Sequence, residues 1–169
     1  GGMGRAWGET LRDNRAVTLA GWVDVQQGVA AHAAADLGLG DVYTGTDLDE
    51  ALHKIMPDFV VDATAIPVHH AIVTRALQFG VPVLGEKPMA DSLEHARQMV
   101  ATAERTGKLY MISQSRRYDR RLQPYRRLLQ RTRGALGDTR TGRFGARGPD
   151  NGAPRCSSTR PAVACWRKN

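Results

Sequence analysis

Apolar segments of strand length alternate along this chain with amphipathic segments of helix length. The apolar runs predict strands at residues 16–25, 41–44, 58–65, 81–85 and 108–113. The segments between them have apolar positions three or four residues apart and predict helices at residues 5–14, 28–37, 48–55, 68–79 and 92–106. This alternation predicts an α/β fold, with a doubly wound parallel sheet between two layers of helices.

A glycine-rich segment precedes the first predicted helix. Gly1-Gly2-Met3-Gly4 predicts a turn, and Asp24 ends the strand that follows the helix. In a Rossmann-type site, glycines let the backbone approach a pyrophosphate, and an acid about 20 residues on binds a ribose hydroxyl. Gly1 and Gly4 fit the last two glycines of G-x-G-x-x-G. No strand precedes them, so we expect a sheet without its first strand. The alternative is an ordinary glycine-rich segment before a helix.

Two further polar segments follow predicted strands. Thr64 and His69 lie at the junction of a strand and a helix, where a hydroxyl and backbone amides suit a cofactor ribose or phosphate. Alternatively, His69 is structural. Glu86 and Lys87 follow another strand, and Pro88 keeps Lys87 out of helical geometry. Lys87 could donate hydrogen bonds to a substrate hydroxyl or assist proton transfer; the alternative is a surface Glu-Lys pair.

Composition narrows the class of protein. The 169 residues are 41% hydrophobic, and no run approaches the roughly 20 apolar residues of a membrane span. No signal pattern opens the sequence, so we expect a cytoplasmic protein without membrane association. The two cysteines, Cys156 and Cys165, are interpreted as separate thiols, with a disulfide as the alternative. No His/Cys spacing predicts a metal site.

Charge divides the chain into three parts. Residues 1–113 carry nine basic and fourteen acidic residues, whereas residues 114–137 carry eight arginines and one aspartate. The arginines could follow a nucleic-acid backbone or another polyanion through the segment 116–133, but a solvated helix face is the preferred interpretation. Residues 138–169 are rich in Gly, Arg, Pro and Ser, and we expect them to lack regular structure.

Together the motifs resemble the Gfo/Idh/MocA oxidoreductase family over about residues 1–137. The resemblance rests on the glycine segment with Asp24, on Thr64 with His69, on Glu86-Lys87-Pro88, and on Ser115-Arg116-Arg117. It implies that NAD is bound by Gly1, Gly2, Met3, Gly4, Asp24, Thr64, His69, Glu86 and Lys87, with Lys87 also catalytic. Ala65 replaces the family's usual proline, and Ser115 replaces its usual asparagine. Nothing after Gly137 resembles the family's second domain, which carries substrate contacts.

These observations predict an NAD(P)-dependent oxidoreductase fragment. Residues 1–119 would form an incomplete Rossmann domain, residues 120–137 a basic linker helix, and residues 138–169 a disordered tail. The intact relative would transfer hydride between NAD(P) and a hydroxyl of a sugar, inositol or similar polyol, and it could be an oligomer. Asp24 favours NAD over NADP, because its carboxylate would repel a 2′-phosphate. An inactive nucleotide-binding remnant is the alternative, and no nucleic-acid partner is expected.

Overall fold

The computed structural model describes residues 2–132 and 163–168. These residues belong to two compact units, one containing residues 2–113 and 163–168 and the other containing residues 114–132. The elements of the first unit are α1 (Gly2–Arg12), β1 (Val17–Val23), α2 (Val29–Asp36), β2 (Tyr43–Gly45), α3 (Leu48–Ile55), β3 (Phe59–Asp62), α4 (Ile66–Phe79), β4 (Val83–Gly85), α5 (Leu93–Thr106), β5 (Tyr110–Ile112) and, distant in sequence, β6 (Val163–Lys168).

The six strands form one sheet in the order β2-β1-β6-β3-β4-β5. β1 pairs in parallel with β2, β3 with β4, and β4 with β5. Only β6 runs antiparallel to both of its neighbours. Apart from β6, the order is that of the Rossmann fold, in which the chain winds from the centre outwards in both directions. The predicted α/β class and parallel winding are confirmed.

β6 corrects one expectation. It lies between β1 and β3, the position of the first strand in a Rossmann sheet, which the sequence predicted to be empty. Residues 163–168 therefore do have regular structure, contrary to the prediction for 138–169; residues 133–162 and 169 lie outside the described residues. The physical reason is that the facing edges of β1 and β3 carry backbone N–H and C=O groups that need hydrogen-bond partners. The short apolar run that opens β6 satisfies them on both sides.

Helices cover both faces of the sheet. α1 and α2 pack on one face around Trp22 of β1, which is 2% exposed. α3, α4 and α5 pack on the other face, where Leu52, Leu77 and Met99 are fully buried. Within the part of the chain that the structure describes, no helix has both the length and the apolar character that a transmembrane span requires.

The glycine segment differs from its prediction. Gly2, Met3 and Gly4 belong to α1 rather than to a turn before it, and Gly1 is outside the described residues. Gly4 is buried, whereas Gly2 and Met3 are exposed in the first turn of the helix. A helix end leaves its first backbone N–H groups without helical partners. The predicted anion-binding position is thus the end of a helix rather than a loop.

The second unit is helical. Two 3₁₀ turns, Ser115–Tyr118 and Arg120–Leu122, precede α6 (Gln123–Thr132). Arg121 forms an ion pair with Asp119 at 2.9 Å. The predicted basic helix over 120–137 thus begins at Gln123, and residues 133–137 lie outside the described residues. The interpretation of the arginines of 116–133 as a solvated helix face stays a prediction, with polyanion binding as its alternative.

Candidate nucleotide site

Three of the predicted site residues follow strands that end at the same edge of the sheet. Asp24 directly follows β1, Thr64 is the second residue after β3, and Lys87 is the second residue after β4. β1 and β3 are both antiparallel to β6 and therefore parallel to each other, and β4 is parallel to β3. The expectation that Asp24, Thr64 and Lys87 lie on one edge is confirmed. In open α/β sheets this carboxyl edge is where ligands bind.

Asp24 is a buried carboxylate with one unpaired oxygen. Its side chain is 2% exposed, and its Oδ1 accepts a hydrogen bond from the Gln26 amide at 3.0 Å. Its own amide donates to the Gly45 carbonyl of β2 at 3.1 Å. Among the described residues, Oδ2 has no hydrogen-bond partner. A buried acceptor without a hydrogen bond costs stability, so this oxygen is suited to accept a hydrogen bond from a hydroxyl of a ligand. A ribose hydroxyl of NAD fits that requirement.

A cleft opens between the loops that follow β1 and β2, and it is lined by Gly45, whose carbonyl accepts the hydrogen bond from the Asp24 amide. Its volume is about 440 Å³. Small residues line much of it, and Tyr43, Glu50 and Lys54 form one wall. Lys54 is paired with Glu50 at 2.6 Å, so its charge is already balanced within the protein. The cleft therefore offers room for a nucleoside near the end of β1, and Lys54, the one cation among the described residues that line it, is already paired and not free for a 2′-phosphate.

Thr64 and His69 meet at a residue that the sequence analysis did not select. Asp62, the last residue of β3, is fully buried, and its Oδ1 accepts hydrogen bonds from the Thr64 amide at 3.0 Å and from Thr64 Oγ1 at 2.6 Å. His69 Nδ1 lies 2.9 Å from Asp62 Oδ2. The two atoms are thus within ion-pair distance, and neither has a hydrogen-bond partner among the described residues. His69 is 1% exposed and contacts the Asp62 side chain that holds Thr64; its contact with the cofactor stays a prediction.

The surroundings of His69 favour its protonated form. Burial lowers the pKa of His69, but the close contact with Asp62 and its negative charge act in the opposite direction. The Thr64 backbone and the charge of Glu86 add to the effect of Asp62. The net result is a pKa raised above the ordinary value of 6.5. The His69 imidazolium and the Asp62 carboxylate therefore form a buried ion pair, which suits a structural function behind the carboxyl edge of the sheet.

Glu86 and Lys87 have different surroundings. Glu86 Oε1 accepts a hydrogen bond from Trp7 Nε1 of α1 at 2.9 Å, and its Oε2 accepts one from the Lys87 amide at 3.1 Å. Both carboxylate oxygens therefore accept hydrogen bonds from the protein, and Glu86 links α1 to the loop after β4. Lys87 is exposed, and its ammonium is in no ion pair with the described residues. Its peptide bond to Pro88 is cis.

Two residues of this edge were missed by sequence reasoning, namely Asp62 and Trp7. Asp62 had a usable signal, because a carboxylate inside the apolar run Phe59–Asp62 must find a partner when the strand is buried. Trp7 had none, since its partner Glu86 is 79 positions away in the sequence. In residues 2–132, no group of three or more His, Cys, Asp and Glu side chains could hold a metal ion.

The sheet order, the helix beginning at Gly2 and the buried acid after β1 define a Rossmann-type dinucleotide-binding domain. The sequence model of the Gfo/Idh/MocA family, described as "Oxidoreductase family, NAD-binding Rossmann fold", matches residues 1–114. The chain therefore belongs to this family of NAD-binding oxidoreductases, and the predicted family and cofactor are confirmed.

Individual relatives agree with this assignment. A D-apiose dehydrogenase from Paraburkholderia graminis is 39% identical over 90 residues, which cover 53% of this chain and 24% of the relative. The crystal structure of GenD2 from gentamicin A biosynthesis, in complex with NAD, is 34% identical with a TM-score of 0.56, covering 64% of this chain and 30% of that one. Myo-inositol 2-dehydrogenase from Lactobacillus plantarum shares the fold at 18% identity, with a TM-score of 0.66 over 76% of this chain and 38% of that one. The matched part thus spans well under half of each relative.

Proposed function

We propose that the carboxyl edge of this sheet binds NAD and that the whole protein transfers hydride between NAD and a hydroxyl of a sugar-like polyol. The observation that carries the proposal is Asp24, whose buried Oδ2 lacks a partner among the described residues. Its amide is hydrogen-bonded to Gly45, which lines a cleft of about 440 Å³. The substrate class is supported by relatives named as apiose and inositol dehydrogenases. A cytoplasmic location and an oligomeric state stay predictions.

Each candidate residue has a defined task in this proposal. The amides of Gly2 and Met3, in the first turn of α1, donate to the pyrophosphate, where the helix dipole favours negative charge. Asp24 Oδ2 accepts a hydrogen bond from the adenosine ribose, and because this oxygen is buried, binding requires its neighbours to open locally. Thr64 faces the nicotinamide half. Bound NAD supplies the hydride acceptor.

Lys87 is the candidate catalytic residue. Its ammonium is exposed at the carboxyl edge and is in no ion pair with the described residues, so it is available to hydrogen-bond a substrate hydroxyl. In that position Nζ would orient the substrate and assist the transfer of the hydroxyl proton. Glu86 holds the loop in place through Trp7 instead of contacting the substrate.

We further propose that this chain by itself binds NADH without turning over substrate. Hydride transfer requires cofactor and substrate to be held together, and the described residues supply the cofactor half of that arrangement. Calorimetric titration with NADH and NADPH, together with dehydrogenase assays over sugars and inositols, tests both parts. We expect NADH to bind more tightly than NADPH and no turnover. Tighter binding of NADPH would contradict the assignment of Asp24, and robust turnover would contradict the inactivity of this chain.

A further inference from the structure

Asp62 connects three of the segments that form the candidate nucleotide site. Its side chain holds Thr64 and His69 in the loop and helix that follow β3. Its backbone carbonyl accepts a hydrogen bond from the Glu86 amide at 2.9 Å, after β4. Glu86 in turn accepts from Trp7 of α1. One buried residue therefore connects the loops after β3 and β4, and through Glu86 it is linked to the helix at the pyrophosphate position.

The hydrogen bond between Asp62 and Thr64 fixes the direction of the Thr64 hydroxyl. A threonine hydroxyl has one hydrogen to donate and two lone pairs that accept. An ionised carboxylate only accepts, so the hydrogen in the 2.6 Å contact belongs to Thr64. The hydroxyl can then face a ligand only as an acceptor. It would select a ligand group that donates, such as a carboxamide NH₂ or a sugar hydroxyl, and would reject a carboxylate.

We propose that Asp62 is a positioning residue that holds Thr64 as an obligate hydrogen-bond acceptor toward the nicotinamide half of the cofactor. The proposal rests on the proposed function, because it assumes that NAD occupies this edge. His69 contributes from the other side of the carboxylate, where its Nδ1 lies 2.9 Å from Oδ2 and keeps the Asp62 side chain in one orientation.

The first test replaces Asp62 and measures both binding and local structure. In Asp62→Asn we expect NADH to bind about tenfold more weakly. The asparagine NH₂ can donate to the Thr64 hydroxyl, which is then no longer held in a single orientation. The NMR titration of the His69 ring should shift to lower pH, since the negative charge beside it is gone. Asp91→Asn is the matched control, because Asp91 also contacts a histidine, His95, but on the exposed surface at 2.6 Å. It should change neither NADH affinity nor the titration of His69.

A second pair of variants keeps the test decisive if Asp62→Asn does not fold. Thr64→Ser retains the hydroxyl and should bind NADH like wild type, whereas Thr64→Val should bind about tenfold more weakly. Equal NADH affinity of Thr64→Val and wild type would overturn the proposal, as would an unchanged affinity and His69 titration in Asp62→Asn. Failure of the wild-type chain to bind NADH would instead contradict the proposed function. The His69 titration in Asp62→Asn would then still decide whether Asp62 orders this loop.

Discussion

The packing of α1 on β1 gives a quantitative prediction at Gly8. A Cβ added to Gly8 would lie 2.6 and 2.7 Å from two ring carbons of Trp22, and 2.8 Å from Cδ1 of Leu37. These distances are too short for carbon atoms, so Gly8→Ala must displace either the helix or the ring. Trp22 is 2% exposed and Leu37 is 6% exposed, so neither side chain has free space to move into.

Two opposing effects decide the stability of Gly8→Ala. Alanine favours a helix over glycine by about 1 kcal/mol. Overpacking a core typically costs about 1–3 kcal/mol, and three simultaneous clashes with buried groups place this site near the upper end. The expected net change is a loss of about 2 kcal/mol in the free energy of unfolding. For a chain of this size that corresponds to a decrease in Tm of roughly 4–8 °C.

Thermal and urea unfolding measure the effect, and Gly2→Ala is the control. Gly2 lies in the same helix, but an added Cβ there meets nothing within 4 Å. Gly2→Ala should unfold at the wild-type temperature or slightly above it. If Gly8→Ala were as stable as Gly2→Ala, α1 would not be packed on Trp22 as described, and the position of its first turn at the cofactor edge would lose its support.

Three further changes test other contacts. Cys165→Pro removes a backbone donor from β6, which lies between two paired strands, and should cost about 2 kcal/mol or more in urea unfolding; wild-type stability would show that β6 is not part of the sheet. Because the pKa of His69 is raised above 6.5, its contribution to stability should be complete below that pH and decline as the pH rises through the raised pKa. This decline, followed by urea unfolding, should disappear in Asp62→Asn, and its persistence there would contradict the pairing. Trp7→Phe removes the donor to Glu86 and should lower stability by about 1 kcal/mol in thermal unfolding, whereas an unchanged Tm would mean that the bond is not formed in solution.

Local signals in the sequence predicted the helices well. The predicted helix at 48–55 has the bounds of α3, and Asp47 caps it by accepting from the Glu50 amide. The helix predicted at 92–106 begins one residue later, after Ser92 accepts from the His95 amide. Such caps involve residues three positions apart, so sequence alone is sufficient to recognise them.

Features that depend on distant contacts were not predictable in the same way. The strand predicted at 58–65 ends at Asp62, because that side chain bonds to Thr64 and turns the backbone. β6 was missed because the composition of the surrounding segment obscured a short apolar run whose partners, β1 and β3, lie about a hundred or more residues earlier. The hydrogen bond from Trp7 to Glu86 likewise depends on the tertiary fold, because the two residues are 79 positions apart.

The location of bound NADH tests the central claim most directly. Backbone amide shifts recorded by NMR during an NADH titration report which residues the cofactor approaches. We predict the largest changes at Met3, Asp24, Thr64 and Glu86, which lie in α1 or after β1, β3 and β4 at the carboxyl edge. Amides at the amino ends of the same strands, such as that of Phe59, should not change. Shifts confined to the amino ends of the strands, or none at saturating NADH, would contradict the account.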